Sequence, residues 1–411
     1  MTVADDALAL TDDLVRLRHA LHRHPEIGLH LPRTQQTVLE ALAGLDLEIT
    51  TGDALSSVTA VLRGGGTAGR SGPGAHPGQR PVVLLRADMD ALPVTEELDV
   101  GYRSEVDGVM HACGHDLHVT SLVGAAHLLS AQRDSLPGDV VLMFQPGEEG
   151  FDGAGHMIAE GVLDAAGRRA DAAYALHVMS SLAPRGHVVS RPGPMLSASD
   201  GLFVTLHGRG GHGSAPHNAA DPVPALGEIV LGAQAVATRV VGPFQTGLVT
   251  FGHLKAGTRR NVIPSTAYAE ATIRTVDPAV RERLRDALVR YCEGVAAAHG
   301  LTAEVRFEPE YPVTVNDAAE YDFVAATLGE LFGPDRFSPM PDPIAGAEDF
   351  SRVLAEVPGV MVFLGAALEG RDWQTAPDNH SALAGFDDSV LPDGAALLAH
   401  LAERRLDQLA R

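Results

Sequence analysis

Apolar positions Leu8, Leu10, Leu14, Val15, Leu17 and Leu21 recur at roughly helical spacing between Asp5 and His24, and Pro25 closes the run, so the chain opens on an amphipathic helix. From Pro81 the pattern alternates. Val82 to Leu85 reads as strand, Asp116 to Leu129 as helix, Asp139 to Phe144 as strand, Ala154 to Leu163 as helix and Ala172 to Leu176 as strand. Strands alternating with helices imply a sheet covered by helices on its faces. Gly64 to Gln79, rich in Gly, Pro and Ser and nearly free of apolar residues, reads as a surface loop rather than a domain linker.

At Gly201 the grammar changes. Leu202 to Leu206 reads as strand, Asp221 to Val241 as helix, Leu248 to Leu254 and Ala267 to Thr275 as strands, Pro278 to His299 as helix and Thr302 to Phe307 as strand. The order βαββαβ is that of a ferredoxin-like unit. The helix Asp317 to Phe332, the strand Val360 to Leu364 and the helix Ser389 to Arg405 then return to the first pattern. The expected fold is α/β: a catalytic domain with a central mixed sheet, made of residues 1–195 and 310–411, interrupted by a smaller domain at 196–309.

Charge and cysteine content narrow the partners. Against 31 Lys and Arg stand 53 Asp and Glu, a formal charge of -22, which repels nucleic acid and anionic lipid surfaces. Only Cys113 and Cys292 could pair, and one lies in a His-rich run, so a reducing compartment fits better than a disulfide framework. The acidic start Met1-Thr2-Val3-Ala4-Asp5-Asp6 is unlike a secretory leader, and no apolar run is long enough to span a bilayer. The expectation is a soluble, cytoplasmic protein.

The chemistry concentrates in a few places. His111-Ala112-Cys113-Gly114-His115-Asp116 packs two imidazoles, a thiol and a carboxylate into six residues, a metal-ligand composition. Cys113 and His115, two apart, can face one metal, and a thiolate between two cations can bridge them. Asp88 and Asp90 follow one apolar strand, Glu148 and Glu149 another, and His177 a third, at the carboxyl ends where open α/β sheets gather ligands. Several carboxylates at one sheet edge repel unless cations neutralise them, and two divalent ions would do so. Adjacent Glu148 and Glu149 cannot point the same way, so one ligates while the other handles a proton. His177 taken alone equally suits a packed core, as does His380, though the latter sits in the polar loop Asp378-Asn379-His380-Ser381. His19, His22, His24, His30, His76, His299 and His400 lack such context and read as surface or packing residues.

Taken together, Arg86 to Pro93, His111 to Asp116, Gln145 to Gly150, Ala175 to Val178, Gly210-Gly211-His212, Asn261 to Pro264, Gly346 to Phe350 and Asn379-His380-Ser381 resemble, in order and over nearly the whole chain, the amidohydrolase branch of the cocatalytic metallopeptidases: aminoacylases, hippurate hydrolases and auxin-conjugate hydrolases. The resemblance implies two divalent metal ions (Zn, Mn, Co or Ni) held by Cys113, His115, Glu149, His177 and His380, with Cys113 bridging. It makes Glu148 the general base and acid and Asp90 the residue that orients a ligand. The smaller domain would be a lid and dimerisation module. From it His212 would stabilise the oxyanion, in the same chain or across a dimer, while Asn261 and Arg274 would hold the substrate carboxylate; Arg274 also reads as an ordinary strand-face charge. His380-Ser381-Ala382 departs from the His-Ser-Pro often seen in such sequences, and the loop at Gly64 to Gln79 is longer than usual.

The implied activity is metal-dependent hydrolysis of N-acyl amino acids to a carboxylate and a free amino acid by a homodimer. A dipeptidase or a deacetylase of a specialised metabolite would use the same scaffold. A metal-binding protein without turnover is the reading from another class, and it leaves Glu148 without a purpose.

Overall fold

The computed structural model describes residues 2–66 and 80–411, so most of the loop expected at Gly64 to Gln79 lies outside the described residues. The chain forms two compact units, one of residues 2–66, 80–193, 315–341 and 352–411, the other of residues 194–314 and 342–351.

The first unit is built on an eight-stranded mixed sheet in the order Glu48–Thr51, Val58–Arg63, Asp139–Gln145, Val82–Asp88, Ala172–Met179, Gly359–Gly365, Val188–Ser190, Phe337–Pro339. Its centre is parallel: Val82–Asp88 pairs in parallel with both Asp139–Gln145 and Ala172–Met179, and Ala172–Met179 with Gly359–Gly365. These central strands are buried over almost every residue, which is why they read as unbroken apolar runs rather than as alternation. Helix His115–Ala131 is likewise apolar nearly all round because it lies between the strand Val82–Asp88 and the helices Thr11–Arg23 and Leu391–Leu409. The shared direction of the central strands brings Asp88, Gln145 and His177 to one edge of the sheet.

Boundaries differ from expectation in understandable ways. The opening helix is two helices, Val3–Ala9 and Thr11–Arg23, because the Leu10 N–H turns to the Ala7 carbonyl and tightens the last turn. The helix expected over Ala154 to Leu163 ends at Ala159, followed by a 3₁₀ turn at Val162–Asp164. The helix Pro32–Ala41 and the strands Glu48–Thr51 and Val58–Arg63 are additions to the elements expected from the sequence.

In the second unit the four strands stand in the order Gly247–Ala256, Thr266–Thr275, Ala198–His207, Thr302–Tyr311, all antiparallel, with helices Pro222–Val240 and Pro278–Ala298 packed on one face. This is the ferredoxin-like order. Leu202, Val204 and Leu206 point into that helix-covered core while Phe203 and Thr205 are more open, the period-two pattern of a sheet with one buried face. Both helices start on an Asp-Pro pair, where Asp221 and Asp277 accept backbone N–H groups and the proline takes a position that needs no donor.

Candidate metal centre

The first unit gathers Cys113, His115, Glu148, Glu149, His177 and His380 at the carboxyl edge of its parallel strands. Cys113 and His115 flank Gly114, which ends the approach to helix His115–Ala131. Cys113 Sγ stands 3.4 Å from His177 Nε2 and 3.3 Å from His380 Nε2. His380 Nε2 lies 3.2 Å from Glu149 Oε1, and His115 Nε2 3.9 Å from the same oxygen. Cys113, His115 and His177 can thus face one ion, and Cys113, Glu149 and His380 another, with the thiol common to both sets. His380 adopts a left-handed backbone (φ 71°) that a histidine seldom takes, a strain consistent with a side chain aimed by its surroundings.

Asp90 sits beneath this cluster, almost fully buried. It accepts the N–H of Glu148 (3.0 Å) on one oxygen and that of Glu149 (3.1 Å) on the other, and its Oδ1 is 3.5 Å from His115 Nδ1. One carboxylate therefore fixes the turn that carries both glutamates.

The electrostatics are those of an anionic pocket. Burial alone would raise the Cys113 thiol, but His177 and His115 outweigh it and hold the thiol well below its usual range. Burial alone would lower His115, yet Asp88 and Cys113 hold it well above the ordinary imidazole value. Hydrogen bonds to Cys113 and Glu149 push His380 up to about 10. The negative charge that draws protons onto these rings is the charge a divalent cation would neutralise. Both ring nitrogens of His115 are buried without a well-formed hydrogen bond, a cost that metal ligation removes. Two ligands about 2.0–2.3 Å from a tetrahedral ion stand roughly 3.3–3.8 Å apart, the range in which Cys113 Sγ stands from His177 and His380. Thiolate, imidazole and carboxylate donors suit Zn²⁺, Co²⁺, Ni²⁺ or Mn²⁺.

The run His111 to Asp116 does not act as one cluster. Successive side chains point apart, and Asp116 turns to a second buried network: it accepts from Arg18 Nε (2.7 Å) and pairs with His22 Nδ1 (2.8 Å), whose Nε2 lies 3.2 Å from Glu96. His111 lies near His22, both nitrogens buried and without a hydrogen-bond partner, and burial pushes it down to about 3. Asp88 is engaged by Arg86 and His118 rather than left open (2.6 Å each). His118 carries no motif of its own in the sequence; its signal is its place three residues after His115 on the same helix.

Of the residues expected in the smaller domain, the second unit brings two together and leaves one apart. His212 pairs with Val262 in a short antiparallel ladder, and the Gly213 N–H donates to the Asn261 carbonyl, so His212 and Asn261 are neighbours. His212 Nδ1 is held by the Ser214 hydroxyl (2.8 Å). This ladder extends beyond the pair Thr266 and His207, whereas Arg274 pairs with Ser199 at the other end of the same strand. The stretch from Thr266 to Arg274 spans roughly 26 Å of strand, so within one chain Arg274 stands toward the far end of its strand from the ladder of His212 and Val262.

Residues 84–404 match the sequence pattern described as peptidase family M20/M25/M40. Thermostable carboxypeptidase 2 of Saccharolobus solfataricus is 36% identical over 400 residues, covering 96% of this chain and 95% of that protein. The N-acetyl-L-cysteine deacetylase of Bacillus subtilis strain 168 is 33% identical over 400 residues, covering 97% of this chain and 89% of its own. Among solved structures, a Bacillus subtilis protein described as a dinuclear metal binding peptidase from the M20 family superposes with a TM-score of 0.81 at 29% identity, covering 97% of this chain and 99% of that one.

Proposed function

Because the chain belongs to peptidase family M20/M25/M40, we propose that it hydrolyses the amide bond of N-acyl amino acids at a centre of two divalent metal ions held by Cys113, His115, Glu149, His177 and His380. The observation that carries the reading is Glu148. It is buried beside the ligand set, with a carboxylate oxygen within 4.8 Å of ligand atoms of His115 and Glu149, and its backbone is fixed by Asp90. A protein that only stored metal would need no second carboxylate there.

Bound divalent ions supply Lewis acidity, lowering the pKa of water toward neutrality and polarising a carbonyl. Glu148 accepts the proton that water gives up as its oxygen attacks the acyl carbon. It then returns that proton to the amide nitrogen as the C–N bond breaks, leaving a carboxylate and a free amino acid. Asp90 keeps the paired glutamates in place during both transfers. His212, its Nδ1 occupied by Ser214, has Nε2 to offer to a developing oxyanion.

The placement of Arg274 toward the far end of its strand from His212 and Asn261 favours a homodimer in which the two groups serve different sites. The unpaired edge strand Gly247–Ala256 with its exposed Leu254 suits such an interface. Two free cysteines favour a reducing compartment, the cytoplasm. Among the described residues no helix is long and apolar enough to cross a membrane.

The similarity to a carboxypeptidase favours a second reading, cleavage of peptides at a free C-terminal residue. Both substrate classes share an amide whose nitrogen belongs to an amino acid with a free carboxylate. Amine release from N-acetyl, N-benzoyl and indole-acetyl amino acids beside free dipeptides, using apo protein reloaded with each metal, separates them. Glu148→Gln should keep its metal and lose about 10²-fold or more in rate. An active Glu148→Gln enzyme would refute the assignment.

A further inference from the structure

Val178 is a junction of the hydrogen bonds that support the metal centre. Its N–H donates to His118 Nε2 (2.7 Å), and its carbonyl accepts from His177 Nδ1 (2.8 Å) and from Asn379 Nδ2 (3.0 Å). Since His118 Nε2 receives a backbone N–H, it carries no proton. The ring proton sits on Nδ1, 2.6 Å from Asp88 Oδ1. The other oxygen of Asp88 accepts from Arg86 Nη1 (2.6 Å), and Arg86 Nε donates to Gln145 Oε1 (2.9 Å). Gln145, Arg86, Asp88 and His118 are all buried, so this chain of bonds has no water to exchange with.

The junction reaches more than one candidate ligand. With Nδ1 of His177 spent on the Val178 carbonyl, Nε2 is the nitrogen left facing Cys113. Asn379, the residue before His380, also reaches the Cys113 carbonyl (3.3 Å), and its own oxygen accepts from the Ser180 N–H and hydroxyl (3.0 Å each). The His380 N–H donates to the Ala112 carbonyl (2.8 Å). Asp88, His115 and His118 lie close enough together to suggest another metal set, but both nitrogens of His118 are already engaged. Its position is that of a support.

We propose that His118 is a positioning residue of the metal centre: held in one tautomer by Asp88, it fixes Val178, and through Val178 the aim of His177 on Cys113 and the placement of His380 by Asn379. The proposal rests on His177 and His380 being ligands. Partners that orient a ligating imidazole are typically worth about 10- to 100-fold in metal affinity. His118 acts one residue further back, through the backbone.

The test uses the full-length protein, stripped with a chelator and titrated with Co²⁺, whose visible spectrum reports its ligand field and whose near-ultraviolet thiolate band reports Cys113. His118→Phe keeps the ring volume and removes both hydrogen bonds. His118→Gln offers an amide oxygen to the Val178 N–H. Wild type should take up two Co²⁺ per chain. His118→Phe should bind Co²⁺ about 10- to 100-fold more weakly with an altered spectrum, and His118→Gln should recover most of the loss.

Equal uptake and equal spectra for wild type and His118→Phe overturn the proposal. So does a folded His118→Gln no better than a folded His118→Phe, because packing alone then accounts for the loss. If His118→Phe shows no cooperative melt, the imidazole ¹⁵N–¹H spectrum of metal-free wild type decides: a proton on Nδ1 alone supports the proposal, and a proton on Nε2 overturns it. Wild type that takes up Co²⁺ but hydrolyses no acyl substrate refutes the proposed reaction and leaves the positioning role standing. Wild type that takes up no Co²⁺ overturns both.

Discussion

Replacing Gly114 by alanine separates two costs that usually arrive together. Gly114 lies between Cys113 and His115 at φ 80°, and a Cβ there would stand 2.4 Å from Val178 Cγ2 and 3.3 Å from the Phe386 ring. Gly150, in the turn after the paired glutamates, has nearly the same backbone (φ 85°) but nothing within 4 Å of an added Cβ. The left-handed conformation costs an alanine roughly 1–2 kcal/mol at either position. Forcing a methyl group into a packed core adds about 1–3 kcal/mol, and only Gly114 carries that addition. The loss of unfolded-state entropy is common to both variants and cancels in the difference. Gly114→Ala should therefore be less stable than Gly150→Ala by about 1–3 kcal/mol. Urea denaturation of the chelator-treated proteins measures this without a contribution from metal binding, following the transition of the unit that holds both glycines. Val178 has only a short branched side chain, so the strain falls on its rotamer or its backbone, beside His177. Equal midpoints for the two variants would refute this, because they would mean that Val178 yields at no cost.

Cys113→Ala should lose both ions, whereas His380→Ala should lose chiefly the one it shares with Glu149; metal analysis after dialysis checks this, and full metal content in Cys113→Ala would exclude a bridge. Acid should destabilise the fold partly through His111. Its folded value of about 3 lies below the ordinary 6.5, so the unfolded chain binds the proton first and stability falls as pH drops from 6.5 toward 3. Between pH 7 and pH 5 wild type should lose about 2 kcal/mol relative to His111→Phe, measured by denaturation at both pH values; parallel curves would show that His111 does not remain neutral. Mixing unfolded and co-refolded His212→Ala and Glu148→Gln chains should restore about a quarter of wild-type activity if His212 serves the partner's site, since half the dimers are mixed and each holds one intact site. No recovery would place His212 in its own chain's site.

What the sequence determined by itself are the features that short-range chemistry dictates. The buried strands Val82–Asp88, Asp139–Gln145 and Ala172–Met179 show as apolar runs, and the βαββαβ order after Gly201 marks the second unit. Cys113, Glu148, Glu149 and His177 were visible because they follow such strands or crowd into one turn, and a parallel sheet must bring those ends to one edge. Tertiary structure decided which neighbours in sequence stay neighbours in space. Along His111 to Asp116 the side chains diverge, so His115 joins Cys113 while Asp116 joins Arg18, and composition cannot register that direction. His118 and Val178 gain their roles from bonds between segments some sixty residues apart, for which a lone histidine on an apolar helix gives no sign. Arg274 and Asn261 lie thirteen positions apart in sequence, yet Asn261 adjoins the short ladder of Val262 with His212 while Arg274 pairs with Ser199 toward the far end of the next strand, because an extended strand converts sequence separation into distance.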